Sequence, residues 1–358
     1  MPPVSPAYPS PPTKVVLPDL ISYCPFDPHI SRHHKLVSIE SKRWLFNGIP
    51  HHNEQFRRET HGLKCGRFAA RCYPNASYPQ LRVCSDFLHW LFHIDDLSDD
   101  IDSHSIRNVS NVVMNSLYHP HTYRSSARLN WMTTDFYKRM IQTASPGTCQ
   151  RLKEGIEIFF RGLHQEAIDR ASGYVPDLGS YITLRRDTSA CKACWVLIEY
   201  VNNLDIPDEV MDHPIIRSLN DTTIDFAAWS NDLYSYHIEN SKGHTHNIID
   251  AVMKEKDLDV QGAMDFVGEL CKRSIDRFVE DRKKLPSWGE KIDKDVAVYV
   301  EGLADWMPAN LHWCFETERY YGKQGKEVKK TRVVTLLPKI RNPTNLAASL
   351  ATTGTACL

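Results

Sequence analysis

The sequence carries a helical pattern of apolar residues over most of its length, from about residue 30 to residue 322. In the stretch LRVCSDFLHWLFHIDD, the residues Leu81, Cys84, Leu88 and Phe92 are spaced by three or four positions, as on one face of a helix. The same spacing recurs in RLKEGIEIFFRGLHQEAIDR, ACWVLIEYVNNL and AMDFVGELCKRSIDRFVEDRKKL, whereas strand and hairpin signals are nearly absent. The pattern therefore predicts an all-α fold of about ten helices.

The composition divides the chain into three parts without an interdomain linker. Residues 1–19 are rich in proline and predict a flexible, extended arm. Residues 20–322 carry the helical pattern and form the predicted domain, and residues 323–358 are first basic and then weakly patterned. We expect this last part to be a partly ordered tail.

Charge and hydropathy exclude several classes of function. The formal net charge of −1 provides no basic field for nucleic acid, and no run of about 18 apolar residues predicts a membrane span. The N-terminus lacks a basic segment followed by an apolar one, so we expect no secretion signal and a cytoplasmic protein with free thiols. Cys191 and Cys194 form a lone CxxC pair, which we interpret as core residues on a helix.

The stretch LFHIDDLSDD places four carboxylates, those of Asp95, Asp96, Asp99 and Asp100, beside an apolar helix. If residues 81–102 form one helix, Asp95 and Asp99 lie one turn apart on the same face. Negative charge at a helix C-terminus opposes the macrodipole and calls for a compensating cation. Oxygen ligands of this kind suit Mg²⁺, although a solvated acidic helix end is the alternative interpretation.

A second polar stripe occurs within DTTIDFAAWSNDLYSYHIEN. Asn231, Ser235 and Glu239 recur at steps of four, so they share one face of a helix whose neighbours are apolar or aromatic. An amide oxygen, a hydroxyl and a carboxylate can together chelate one divalent ion. An ordinary polar stripe is the alternative, but a buried stripe needs a ligand.

With both stretches, the sequence resembles class I terpene cyclases, specifically the fungal, basidiomycete-type sesquiterpene synthases. Their DDxxD element is similar to residues 95–99, and their NDxxSxxxE motif is matched in full by residues 231–239. In YITLRRDTSACK, Arg185 stands where the family carries a diphosphate-sensing arginine, with Arg186 as second choice. The terminal pair Arg319 and Tyr320 matches the family's Arg-Tyr pair.

The resemblance implies the isoprenoid synthase fold, a single α-bundle around a central cavity, and three Mg²⁺ ions. Asp95 and Asp99 would hold two ions, with Asp96 in support. The third would be held by the stripe Asn231, Ser235 and Glu239. Arg185, Arg319 and Tyr320 would bind the diphosphate of a prenyl substrate, and Asp232 would pair with an arginine rather than a metal.

Aromatic residues are the candidates for shielding a carbocation. We assign Phe87 and Trp306 to the cavity wall, and we expect ordinary core packing for Phe92 and Trp313. The histidine clusters His33-His34, His51-His52 and His244/His246 predict solvated surface, since they share no clear face with carboxylates.

Two departures from the family pattern concern the diphosphate site. A lysine that the family often carries near the motif's final glutamate is replaced by Tyr236, His237 and Ile238, so that His237, when protonated, is a candidate replacement. The glycine that often follows the sensor arginine is replaced by Ser189 and Ala190.

These features predict a Mg²⁺-dependent sesquiterpene synthase, a lyase of fungal secondary metabolism that cyclises farnesyl diphosphate and releases diphosphate. A chain-elongating prenyltransferase of the same fold is the first alternative, although that class normally repeats an aspartate motif on the second helix. A phosphohydrolase using His93 and Asp95 and a non-catalytic helical scaffold are the others. A homodimer stays open.

Overall fold

The computed structural model describes residues 13–49 and 52–339, and within them the chain is almost entirely helical. Fourteen helices of seven or more residues, three single-turn helices and one short two-stranded sheet make up the described part. The predicted all-α class is confirmed. The helices outnumber the predicted ten because several of them are separated by breaks that carry no proline or glycine.

The first half of the chain contains the following helices: α1 Leu20–Tyr23, α2 His34–Gly48, α3 Glu54–Leu63, α4 Cys65–Cys72, α5 Tyr78–Ser98, α6 Ser103–Tyr118, α7 Arg128–Met140 and α8 Pro146–Ser172. The second half contains α9 Leu178–Thr188, α10 Cys191–Asn202, α11 Asp208–Met211, α12 Pro214–Lys242, α13 Ile248–Lys256, α14 Val260–Arg282, α15 Glu290–Glu316, α16 Glu318–Tyr321 and α17 Gly325–Thr331. A 3₁₀ turn, Gly322–Gln324, lies between α16 and α17.

The long helices begin and end at recognisable signals. Helix α12 starts with Pro214 in its first turn and ends at Gly243, which has a φ of 83°. The carboxylate of Asp259 accepts a hydrogen bond from the backbone N–H of Gly262 and caps α14. The signals at Pro214 and Gly243 determine the bounds of α12, the helix that carries the second polar stripe.

Helix α5 is shorter at its C-terminal end than the predicted helix over residues 81–102. It ends at Ser98, because the side chain of Asp102 accepts a hydrogen bond from the N–H of Ser105 and begins α6. Asp99 still has helical backbone angles, so it continues the face that carries Asp95.

Several helix breaks have no glycine or proline, and two of them come directly before α4 and α10. Lys64, between α3 and α4, has a φ of 54°, and Ala190, between α9 and α10, has a φ of 56°. L-residues rarely adopt this left-handed conformation, so surrounding tertiary contacts must hold both residues there.

Helix α12 packs against α14 and α15, and also against α9 and α13. Helix α5 packs against α2, α4 and α7. The ends of α5 and α12 that carry the two acidic motifs open onto one cavity between these groups of helices.

Parts of the predicted arm and tail pair with each other. Lys14–Val16 (β1) forms an antiparallel ladder with Val333–Thr335 (β2), in which Val15 is opposite Val334. Val15 is only 1% exposed. The flexibility that we expected for the arm therefore does not extend to residues 14–16, because the ladder with residues 333–335 holds them in place. The arm before residue 13 and the tail after residue 339 lie outside the described residues.

Cys191 and Cys194 are buried free thiols on α10, as predicted for core residues on a helix. In the part of the chain that the structure covers, no helix combines the length and apolar character that crossing a bilayer requires.

Candidate active site

A cavity of about 370 Å³ lies between helices α4, α5, α8, α9, α10, α12 and α15. Charged and amide side chains surround its mouth and aromatic side chains its floor. The mouth is lined by Asp95, Asp99, Glu166, Asp169, Arg170, Arg185, Asn231, Asp232, Glu239, His244, His246, Arg319 and Tyr320. The floor is lined mainly by Phe68, Leu88, Leu91, Phe92, Phe159, Leu163, Cys194, Trp306 and Trp313.

The aspartate end of α5 contributes two of its carboxylates to the cavity. Asp95 and Asp99 line it, whereas Asp96 lies outside its lining and faces Arg319. The Arg319 guanidinium donates to Asp96 Oδ1 at 2.7 Å and to Asp95 Oδ2 at 3.1 Å. The positive charge of Arg319 thus bridges Asp95, for which the sequence predicts metal binding, and Asp96, which is predicted to support it.

The carboxylates at the mouth are close enough to perturb each other. Burial and the neighbouring carboxylates of Asp95 and Glu166 raise the pKa of Asp99 to about 8. Burial raises the pKa of Asp95 to about 6, against the opposing effect of Arg319. Since 46% of the Asp95 side chain is exposed to the cavity, water there moderates this shift. The site holds more negative charge than its own cations compensate.

Two of the three members of the α12 stripe reach the cavity. Asn231 and Glu239 line it, and Glu239 Oε2 accepts a hydrogen bond from Asn247 Nδ2 at 3.0 Å. Ser235 is buried between them and is not part of the lining; its hydroxyl makes only a long contact, 3.4 Å, with the carbonyl oxygen of Asp232. The structure therefore brings Asn231 and Glu239 to the site, and Ser235 close to it.

Of the two candidate sensor arginines, Arg185 faces the cavity. Its guanidinium donates to Asn231 Oδ1 at 3.1 Å and to Asp232 Oδ1 at 2.9 Å, which confirms the predicted pairing of Asp232 with an arginine. Arg186 turns away and pairs with Asp225 and Asp221. The structure therefore places Arg185, and not Arg186, at the cavity.

Tyr320 reaches the cavity from the C-terminal end of the domain. Its hydroxyl accepts a hydrogen bond from Asn231 Nδ2 at 2.7 Å.

His237, the candidate replacement for the family lysine, does not line the cavity. It is 7% exposed, and its Nε2 donates a hydrogen bond to the backbone carbonyl oxygen of Tyr320 at 2.9 Å. His237 therefore does not take the place of the family lysine at the mouth, because it lies outside the cavity lining; burial also lowers its pKa.

The donor set of the mouth fits a hard divalent cation. Asp95, Asp99 and Glu239 offer carboxylate oxygens and Asn231 an amide oxygen, the ligand types that Mg²⁺ prefers. Among residues 13–49 and 52–339, no three His, Cys, Asp or Glu side chains are close enough to hold an ion by themselves. Mg²⁺ sites with one or two carboxylates, completed by water and substrate phosphates, have this character.

Helix α8 contributes a charged cluster to the mouth that sequence reasoning missed. Glu166, Asp169 and Arg170 line the cavity, and burial raises the pKa of Glu166 to about 7. Their spacing of three and four positions along HQEAIDR was the available signal, but the same spacing is typical of a solvated helix face.

The expectation of solvated surface is wrong for His244 and His246. Both line the cavity, because the segment after α12 folds back over the mouth. His246 Nε2 is buried, with no hydrogen-bond partner among the described residues, and lies 3.8 Å from the Glu166 carboxylate; burial lowers the pKa of His246 to about 4. For the other clusters, His33, His34 and His52 are partly exposed, and His51 lies outside the described residues.

The aromatic floor differs from the predicted one. Phe68 of α4 stacks on Trp313 with ring centroids 4.4 Å apart and meets Trp306 edge to face at 5.4 Å. Trp306 lines the cavity as predicted, but Phe92 and Trp313, assigned to core packing, line it as well.

Phe87 was wrongly assigned to the cavity wall. It is fully buried on the far side of α5, against Trp90 and Phe136, at centroid distances of 5.4 and 5.7 Å. The cavity face of α5 follows the steps of three and four that join Leu88, Leu91, Phe92, Asp95 and Asp99. Phe87 is four positions before Leu91, so spacing alone does not separate it from this face; its ring nevertheless packs against Trp90 and Phe136 and not against the cavity.

The break at Ala190 forms part of the same wall. Ser189 and Ala190 both line the cavity, next to Thr188 at the end of α9. An alanine in the left-handed region thus takes the place for which the family often uses glycine.

Comparisons with known proteins agree with this geometry. Residues 86–277, more than half of the chain, match the family model described as terpene synthase family 2, C-terminal metal binding. Sesquiterpene synthase Agr1 of Cyclocybe aegerita is 59% identical over 92% of this chain and 95% of its own length. Alpha-muurolene synthase of Coprinopsis cinerea is 43% identical over 91% of this chain and 78% of its own length.

Solved structures show the same fold at low identity. Germacradien-4-ol synthase from Streptomyces citricolor superimposes with a TM-score of 0.72 at 22% sequence identity, covering 81% of this chain and 98% of that one. Together with the family match and the close fungal relatives, this likeness identifies the chain as a member of the class I terpene synthase family, within the sesquiterpene synthases of basidiomycete fungi.

Proposed function

We propose that this enzyme ionises farnesyl diphosphate, cyclises the resulting carbocation to a sesquiterpene and releases diphosphate. The observation that carries the proposal is the cavity itself: Asp95 and Asp99 face Asn231 and Glu239 at one mouth, above an aromatic floor. An enclosed volume of about 370 Å³ lies within the range typical of small-molecule sites.

The metal set that we propose consists of three Mg²⁺ ions. Asp95 and Asp99 would hold two of them, and Asn231, Ser235 and Glu239 the third. Bound metal ions neutralise the diphosphate and stabilise the negative charge that grows on it as the carbon–oxygen bond breaks. The raised pKa of Asp99 supports this assignment, because burial and the carboxylates of Asp95, Glu166 and Glu239 outweigh the opposing effect of Lys242.

Two arginines and a tyrosine are placed to bind the diphosphate. Arg185 and Arg319 line the mouth from opposite sides, one beside Asn231 and one beside Asp95. Planar guanidinium groups suit phosphate oxygens, and the Tyr320 hydroxyl adds a neutral donor. Groups fixed before ionisation stabilise the developing charge without reorganisation.

The floor would exclude water and favour positive charge on the substrate chain. Phe68, Phe92, Trp306 and Trp313 present ring faces or edges within one contiguous aromatic cluster. Ring faces attract a cation through the quadrupole of the π system. A carbocation held there is protected from capture by solvent until it cyclises.

The alternatives differ in the chemistry that they need. A chain-elongating prenyltransferase would add isopentenyl diphosphate and normally carries a second aspartate motif, where this chain has Asn231, Ser235 and Glu239. A phosphohydrolase would need His93 at the metal site, but His93 lies outside the cavity lining and packs on Phe56. A scaffold would have no need of uncompensated carboxylates.

Gas chromatography–mass spectrometry of reactions with geranyl, farnesyl and geranylgeranyl diphosphates, each with and without Mg²⁺, tests the proposal. We expect cyclic C15 products from farnesyl diphosphate only when Mg²⁺ is present. Absence of terpene from all three substrates would contradict it, and chain extension with isopentenyl diphosphate would favour the prenyltransferase.

A cytoplasmic location accompanies this proposal as a further expectation, and whether the protein forms a homodimer stays open. Light scattering of the purified protein at several concentrations measures its oligomeric state directly.

A further inference from the structure

The segment that carries Arg319 and Tyr320 is a single helical turn. We call residues 317–321 the C-terminal turn; it follows the end of α15 and contains the four-residue helix α16. A helix of this length has almost no internal hydrogen bonds to hold its shape. Its neighbours must therefore determine where the two side chains point.

His237 of α12 contacts this turn through both its polar and its apolar surface. Its Nε2 is 2.9 Å from the carbonyl oxygen of Tyr320, and since a carbonyl can only accept, Nε2 carries the proton. Its ring lies parallel to the ring of Tyr321, with centroids 4.9 Å apart and planes 5° from parallel. His237 thus contacts the backbone carbonyl of Tyr320 and the side chain of Tyr321, one on each side of the peptide bond that joins them.

The contact continues into the next helix. Tyr321 stacks in turn on Phe315 near the end of α15, at 5.7 Å and 15°. The three rings of His237, Tyr321 and Phe315 form a continuous stack that joins α12 to α15. The C-terminal turn leaves α15 just after this stack, so the stack fixes its starting direction.

Helix α12 also holds the other end of Tyr320. Asn231 donates to its hydroxyl at 2.7 Å, while His237 bonds its carbonyl. One tyrosine is therefore fixed at both its backbone and its side-chain end by the helix that carries the NDxxSxxxE motif. Displacements of about 1 Å at such positions can reduce catalysis strongly.

We propose that His237 is a positioning residue, which donates a hydrogen bond from Nε2 and sets Arg319 and Tyr320 at the mouth of the cavity. It couples α12 to the C-terminal turn, so that the two halves of the diphosphate site keep one geometry. The proposal rests on the proposed function, since Arg319 and Tyr320 matter here as diphosphate ligands.

Two substitutions separate the hydrogen bond from the ring stack. His237→Phe keeps an aromatic ring against Tyr321 but has no donor, and leaves the Tyr320 carbonyl unpaired. His237→Gln supplies an N–H at a similar distance without the ring. We expect the dissociation constant for inorganic pyrophosphate in excess Mg²⁺, measured by titration calorimetry, to rise about tenfold in H237F and about threefold or less in H237Q.

The same variants should differ in products. In H237F we expect a higher KM for farnesyl diphosphate and a larger fraction of acyclic alcohols, because a misplaced turn admits water to the cation. Tyr236→Phe is the matched control: Tyr236 lies on the same helix, and its hydroxyl contacts Met253 Sδ, at 3.7 Å, and the Asp250 carboxylate, both outside the cavity lining. Y236F should keep the pyrophosphate affinity and product ratio of the wild type.

A purely structural role for His237 would lower the melting temperature of H237F while its pyrophosphate affinity and product ratio stayed at wild-type values; that result would overturn the proposal. If H237F does not fold, H237M, which also lacks a donor, replaces it. Nitrogen-15 spectra of the wild type give a test without any variant, since a proton found on Nδ1 instead of Nε2 would also overturn it.

The proposed function fails by a different result. Wild-type protein that binds no pyrophosphate with Mg²⁺ and forms no terpene would contradict both proposals. A different set of results would contradict only the role of His237. In that case the wild type would be active and Arg319→Met would lose pyrophosphate binding, but H237F would keep it.

Discussion

Arg319 and Asp95 are 224 positions apart in the chain, yet the Arg319 guanidinium donates to Asp95 Oδ2 at 3.1 Å and, through its other nitrogen, to Asp96 at 2.7 Å. The end of the domain thus closes onto the aspartate end of α5. A residue proposed to bind diphosphate is in this way already in contact with residues proposed to bind or support metal.

Replacing Arg319 tests this contact. Arg319→Met removes a charged donor pair from the mouth, and we expect kcat/KM for farnesyl diphosphate to fall about 100-fold or more, as when a preorganised donor to a developing anion is lost. Arg319→Lys keeps the positive charge but lacks the planar guanidinium. Its kcat/KM should therefore lie between those of the wild type and R319M. Steady-state kinetics with Mg²⁺ measure both, and unchanged kcat/KM in R319M would contradict the assignment.

The adjacent arginines of α9 provide a matched pair. Arg185→Met removes a guanidinium that faces Asn231 and Asp232, so we expect activity to be lost. Arg186→Met removes one that faces Asp225 and Asp221 outside the cavity. R186M should therefore keep its product and turnover at low temperature but melt earlier, because Asp225 is left buried without its partner. The reverse order of activities would assign the sensor role to Arg186.

The two motif helices should respond alike to loss of an oxygen ligand. We expect Asp95→Ala and Asn231→Ala each to reduce turnover about 100-fold or more, with an unchanged helical circular dichroism spectrum. Ser235→Ala should have a smaller effect, since the Ser235 hydroxyl is not part of the cavity lining. Titration with Mg²⁺ in the presence of pyrophosphate gives a second measurement, in which wild-type affinity in both alanine variants would contradict the metal assignment.

Phe92 and Phe87 lie on different faces of α5 and should affect different properties. Phe92→Leu alters the floor of the cavity, so we expect a changed ratio of sesquiterpene products. Phe87→Leu alters the packing against Trp90 and Phe136, so we expect a loss of about 1 kcal/mol in the free energy of unfolding and an unchanged product ratio. Gas chromatography and denaturant unfolding separate the two outcomes. A change of products in F87L alone would show that the cavity wall was assigned to the wrong face.

His89 predicts a pH dependence of stability that is independent of the active site. Burial lowers its pKa from 6.5 to about 4, so between these values the unfolded chain binds a proton that the folded protein does not. The free energy of unfolding should then decrease as the pH falls through this window, with a share from His89 of about 1.4 kcal/mol per pH unit.

His89→Gln removes this share, and urea unfolding from pH 4 to 7 without divalent metal measures the difference. The nearby Asp86, whose pKa is raised to about 6, contributes the opposite slope, but it does so in both proteins. Parallel stability curves for wild type and H89Q would show that His89 titrates normally in the folded state.

The parts of the site that follow from local helix geometry could be predicted from the sequence. Asp95 with Asp99, and Asn231 with Glu239, share helix faces by their spacing alone, and all four line the cavity. The positions of Arg185, Arg319 and Tyr320 came from resemblance to the family, because nothing in their spacing brings residues 185 and 319 together.

The parts that depend on tertiary arrangement could not be predicted. The choice between Phe87 and Phe92 depends on how α5 is rotated relative to the cavity, which a periodic pattern leaves open. The burial of His246 depends on the segment after α12 folding back over the mouth. The helix break at Ala190 carries neither glycine nor proline, so no local signal marks it.

The ladder between Val15 and Val334 has a consequence for the order in which the protein folds. These two residues are among the most widely separated partners in the described structure, and contacts of such long range form slowly because a large loop must close first. During synthesis, β1 is made before the helices and cannot pair until β2 has followed them. The ladder therefore closes after the helical part between its two strands has been synthesised.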